Sequence, residues 1–179
     1  MWKLVLRLTV GGLFAGHGAQ KLFGWFGGSG LTATAKTFEK LGLRPGRVHA
    51  AAAGAAELGG GALLAAGAAT PFAAATLTAT MITAVDRVHL HNGPWVSNGG
   101  YEYNLVLAAA ALALAETGPG PLAFSRRKHS GPFWALWALA AGAAGAAGAR
   151  YAAELAGGEQ AQAPHEPGTP QEESYLRAA

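Results

Sequence analysis

Apolar and polar positions separate into long blocks along this chain. Leu4–Phe26 is the first apolar block, Val48–Ala69 the second and Pro71–Val85 the third, reaching to about His89. A fourth runs from near Tyr103 to Glu116, and a fifth over Pro132–Ala149. A helix needs about 20 apolar residues to cross the hydrocarbon core of a bilayer. The first two blocks have that length, and the pattern predicts an all-α integral membrane four-helix bundle with a fifth transmembrane helix. Thr70-Pro71 makes the only break between blocks two and three. Proline suits the first turn of a helix, so the two form a tight antiparallel hairpin. Gly12 and Gly16 form a small-xxx-small pair that would let another helix approach the first closely. Trp25 and Phe26 end that helix as interfacial aromatics do.

The connectors differ in kind. Gly27–Arg47 reads as a basic loop with a weakly amphipathic helical middle, carrying Lys36, Lys40, Arg44 and Arg47. His91–Asn104 is a polar, glycine-rich and aromatic hinge between two almost wholly apolar segments. Gly118-Pro-Gly-Pro121 is a strong stop, followed by the basic run Arg126-Arg-Lys128. Three regions follow. Residues 1–120 form the four-helix membrane domain, 121–150 a basic loop with the additional helix, and 151–179 a polar tail. The tail is rich in Glu, Gln, Pro and Gly and is expected to be disordered.

Composition sharpens this picture. The chain has 179 residues, of which 51% are hydrophobic and 13% charged, against about 25% charged in soluble domains. Alanine and glycine hold the mean hydropathy to +0.21. Lys3 followed by an apolar run resembles a signal peptide, but Arg7 interrupts the run and further membrane segments follow. It is therefore read as a retained first helix. There is no cysteine, which excludes disulfides, zinc–thiolate sites and iron–sulfur ligation by this chain. The net charge of +3 is spread over short loops and forms no stripe, so it reads as a topology signal and excludes nucleic acid. A cytoplasmic N-terminus is the expected orientation. No phosphate-binding glycine loop or nucleophile elbow is present.

Ionisable groups at membrane depth are costly and are functional candidates by default. His17, Gln20 and Lys21 lie toward the end of helix one, where His17 and Lys21 share a face. His17 could serve packing through a hydrogen bond, a proton or quinone role, or haem ligation. Glu57 sits in mid-helix two, with Lys21 or His17 as its natural partner. Asp86 and His89 are three apart and would share a face as a proton-relay pair, while Asp86-Arg87 could be a simple charge pair. Glu102, Tyr103 and Asn104 open helix four, where an acid suits the helix dipole. No metal site is expected.

These pieces together resemble a known family. They are Arg7, His17-Gly-x-Gln-Lys21-Leu-Phe-Gly24, Glu57-Leu-Gly-Gly60, Asn92-Gly-x-Trp95, Gly100-Tyr-Glu-Tyr-Asn104-Leu and Thr117-Gly-Pro-Gly120. From Leu4 to Gly120 the chain is similar to the DoxX family of small bacterial membrane proteins. The resemblance implies a four-helix bundle in the bacterial plasma membrane. It also implies association with quinol oxidase or thiosulfate–quinone oxidoreductase subunits, or with oxidative-stress proteins. Ser125-Arg126 stands where the family ending would carry an aspartate, and Pro132–Ala179 lies outside the shared core. The expected function is a non-catalytic or quinone-interacting membrane subunit of a redox complex, with no cofactor other than quinone. Alternatives are a cofactor-free scaffold, a homo-oligomer among them, and a small-solute or proton carrier.

Overall fold

The computed structural model describes residues 1–125 and 129–162, with only the backbone of 159–162. The fold is all-α. Its elements are α1 (Trp2–Phe23), α2 (Gly30–Lys40), α3 (Gly46–Ala66), α4 (Thr70–Ala84), α5 (Glu102–Thr117) and α6 (Pro132–Gln162). Helices α1, α3, α4 and α5 form the bundle. Helix α6 packs along α4 as the fifth long helix, and α2 is a short helix laid against the start of α3. Helices α3 and α6 are long and apolar enough to cross a membrane.

The hairpin between α3 and α4 follows from local chemistry. Gly67 adopts a left-handed conformation at φ 65°, which glycine reaches without a Cβ penalty. Its N–H donates to the Leu64 carbonyl and the Ala68 N–H to the Leu63 carbonyl, closing a Schellman motif. Pro71 then sits in the first turn of α4, as the sequence predicts.

The tightest helix pair is α1 against α3, and it uses different glycines from those expected. A Cβ on Gly18 would collide with the backbone of Gly54 and Leu58, and one on Gly61 with the backbone of Gly11 and Ala15. Gly12 and Gly16, the pair expected to mediate close approach, face open space. Seven residues separate Gly11 from Gly18, and seven separate Gly54 from Gly61. Two turns of helix therefore return each glycine to the contact stripe. Gly12 and Gly16 lie off that stripe.

Arg7 is buried, at 2% exposure, and among the described residues no carboxylate pairs with it. Its guanidinium donates to the carbonyls of Pro119 at 3.0 Å and Leu122 at 2.6 Å. Its side chain also lies against Gly67, where α3 ends. Lys3 donates to the Thr117 carbonyl at the end of α5, at 2.7 Å. Two helix C-termini thus supply the negative potential that an acid would otherwise provide. The segment after α5 is held down further by Phe124 N–H to Ala66 O and Ser125 N–H to Gly67 O.

Two expectations need correction. The tail was expected to lose structure from Tyr151, but α6 continues to Gln162. Alanine-rich sequence favours helix. Arg150 also pairs with Glu154 one turn on, at 3.0 Å, and with Asp86 of α4, at 3.3 Å. The rest of the expected tail, 163–179, and the basic run 126–128 lie outside the described residues. Secondly, α4 does not continue as a regular helix to His89. It passes into a wider π turn over Val85–His89.

The two glycine sets give a direct test. Gly18→Leu or Gly61→Leu should cost about 1–3 kcal/mol by overpacking the α1–α3 contact. Gly12→Leu should be near neutral. Unfolding of the purified protein in detergent, followed by circular dichroism, would separate them.

Candidate functional site

A cavity of about 680 Å³ opens at the end of the bundle where α1 and α4 finish and α3 and α5 begin. Its walls are largely apolar, with Phe14, Leu107 and the alanines of α3 and α4 deep inside. Phe38, Leu41 and Leu43 from α2 and the following turn close one side, and Val96, Gly99 and Gly100 of the hinge close another.

Six of the nine residues singled out from the sequence line this cavity: His17, Lys21, Glu57, His89, Tyr103 and Asn104. Glu57 is buried and pairs with Lys21, whose Nζ lies 2.5 Å from Oε2. The close α1–α3 contact makes this pair, because Gly18–Gly54 holds the next turn of each helix together. His17 Nδ1 bonds Gln20 Oε1 at 3.0 Å, and Gln20 Nε2 donates to the Phe26 carbonyl at 3.2 Å. Gln20 thus orients His17 and fixes the turn after α1 without entering the cavity. His89 Nδ1 donates to the Gly99 carbonyl at 2.7 Å, and Asn92 Nδ2 shares that carbonyl at 3.2 Å. With Nδ1–H donating, a neutral imidazole presents Nε2 as an acceptor.

Asp86 and Glu102 act elsewhere. Asp86 was expected to share a face with His89. The wider π turn puts three residues further short of a full turn than an α-helix would, so the two side chains diverge. Asp86 points to α6 and holds Arg87 and Arg150, each at 3.3 Å. It lies in a second, smaller cleft with Arg87 and Arg150. The carboxylate of Glu102 accepts the Val96 N–H at 2.7 Å. It folds the hinge back onto the start of α5, together with Glu102 N–H to Pro94 O and Tyr101 N–H to Gly93 O.

His49 is a cavity residue that sequence reasoning missed. Its Nε2 bonds the Arg44 carbonyl at 3.2 Å. The signal was its spacing, since His49, Ala53 and Glu57 fall at successive four-residue steps on one face of α3. Among the described residues no group of three histidines or acids could hold a metal ion.

Chemically, the cavity offers an apolar chamber with polar groups gathered around it. It has one internally neutralised ion pair, imidazole nitrogens at His17 and His89, a phenol and a carboxamide. This suits an amphipathic ring better than a charged solute.

Breaking a buried ion pair from one side leaves an uncompensated charge. Lys21 retains 27% side-chain exposure, which places the expected cost of Glu57→Gln near the lower end of the usual range, about 3 kcal/mol. Adding Lys21→Met to that variant should recover part of the loss. A double-mutant cycle from SDS-titrated unfolding measures the coupling.

A family model, DoxX, matches residues 2–91. No curated protein and no solved structure matches the chain. The matched stretch is just over half of the chain and contains α1 to α4, with Arg7, His17, Lys21, Glu57 and His89. It stops before Tyr103 and Asn104, which complete the cavity from α5. Together with the two helices able to cross a bilayer, it makes this a membrane protein belonging to the DoxX family.

Proposed function

We propose that this protein is a quinone-interacting membrane subunit of a redox complex and is not itself a catalyst. In this reading it crosses the bacterial plasma membrane several times with its N-terminus in the cytoplasm. The observation that carries the reading is the convergence of His17, Lys21, His49, Glu57, His89, Tyr103 and Asn104 on one largely apolar cavity. About 680 Å³ lies within the range of cavities that enclose small organic ligands.

The fit is chemical. A quinone head presents two carbonyl acceptors on a flat apolar ring, with an apolar tail. The alanine-lined α3 and α4 walls and Phe14 would exclude water from the ring. His17 and His89 each have one nitrogen committed to the protein and the other left over. That second nitrogen can accept a hydroxyl proton when neutral, or donate to a carbonyl when protonated. Glu57 is the carboxylate at the cavity that could take or return a proton, while Asp86 faces away. A bound quinone would carry electrons between a partner oxidoreductase and the membrane pool.

A cofactor-free scaffold is favoured by one specific observation. Lys21, Glu57, His17 and His89 all have protein partners and are satisfied without any ligand.

Purification of tagged protein from its native membrane in mild detergent separates the two. The expected result is quinone in the extract at near one equivalent, or a co-purifying oxidoreductase identified by mass spectrometry. Quinone content should fall several-fold in a His17→Leu/His89→Leu variant of unchanged yield. A clean, quinone-free homo-oligomer would sink the redox reading and leave the scaffold.

A further inference from the structure

We propose that the Asn104 carboxamide is the hydrogen-bonding anchor that selects an uncharged, carbonyl-bearing ligand in this cavity, an inference that rests on the quinone reading above. Asn104 lies in the first turn of α5, is 8% exposed and lines the cavity. A carboxamide carries two N–H donors and an acceptor oxygen. The hydrogen bond Asn104 makes among the described residues runs from Nδ2 to the Met81 thioether at 3.5 Å. Sulfur is a weak acceptor. One N–H and the carbonyl oxygen are left without a protein partner. Both remain open to the cavity and can bond a ligand that enters it.

Most other polar groups around the cavity hold protein partners, though His17 and His89 each keep Nε2 for a ligand. Lys21 holds Glu57, His49 bonds a backbone carbonyl, and His17 and His89 each use Nδ1 within the protein. The hydroxyls of Thr76, Thr80 and Thr83 all return to carbonyls of α4 itself. Tyr103 is 45% exposed and can be served by solvent or headgroups. Asn104 is the mostly buried cavity residue, at 8% exposure, that offers a ligand both a donor and an acceptor. A quinone carbonyl can accept from its free N–H, and a quinol hydroxyl can donate to its oxygen, so both redox forms find a bond at one residue. The charge pattern favours an uncharged ligand over an anionic one. The buried Glu57 carboxylate already neutralises the Lys21 ammonium, so that cation is not available to a fatty-acid carboxylate.

The test uses full-length protein in lipid nanodiscs and decylubiquinone carrying a ¹³C label at the carbonyl. Affinity is read by calorimetric titration and the carbonyl stretch by infrared difference spectroscopy. The expected result is that wild type binds with a down-shifted carbonyl band. Asn104→Leu should bind about tenfold more weakly with the band at its free position. Met81→Leu, which removes only the sulfur contact, should keep both affinity and band. Equal binding and an unchanged band in Asn104→Leu would overturn the anchor while leaving the quinone reading in place. An unshifted band in wild type would overturn it even if Asn104→Leu failed to fold. Wild type that binds no decylubiquinone overturns the quinone reading, and the anchor with it. Competition by oleate would overturn the selection for an uncharged ligand.

Discussion

Everything near the cavity depends on how closely α1 and α3 approach. In a membrane there is little hydrophobic gain from pressing one helix on another, so close packing of small residues must supply the association. Gly11 and Gly18 on one helix, with Gly54 and Gly61 on the other, bring the two backbones together. Once they are in contact, the next turns follow without further adjustment. Lys21 comes opposite Glu57, so a buried carboxylate meets its counter-ion instead of facing the bilayer interior alone. At the other end of α1 the same contact sets Arg7 against the last turn of α3.

Polar groups in this bundle serve two ends with different duties. At the α1 start, cations are absorbed by helix carbonyls and pin the segment after α5. At the opposite end, side-chain pairs and a folded hinge shape a chamber. Glu102 illustrates the division. An acid in the first turn of a helix is ordinary, but here its carboxylate reaches a hinge amide and sets the position of the loop. His89 does the same from α4 through Gly99. The hinge is thereby fixed from both flanking helices, and the cavity wall it contributes is a defined surface.

Much of this was legible in the sequence, for physical reasons that can be named. Long apolar blocks broken by glycine and proline locate helices because bilayer and backbone leave few alternatives. An acid at mid-helix announces a partner, and Lys21 was among the two foreseen for Glu57. What the sequence left hidden turns on helical phase. Gly12 and Gly16 satisfy a spacing rule yet sit on the wrong stripe, and only packing decides which stripe is used. Asp86 and His89 obey α-helical spacing in a stretch that winds more widely. His49 shares a face of α3 with Glu57, but sequence spacing alone does not show that this face opens on a cavity. Arg7 gave no sign of its partners, because they are backbone carbonyls more than a hundred residues away.

That last separation has a consequence for how the protein is made. Arg7 leaves the ribosome early, but its acceptors at Pro119 and Leu122 lie 112 and 115 residues further along. Until the segment after α5 has been made, the Arg7 guanidinium lacks the carbonyls that hold it in the folded chain. The start of α1 thus reaches its final setting only once the chain beyond α5 has joined it, and the fold closes through contacts between segments far apart in sequence.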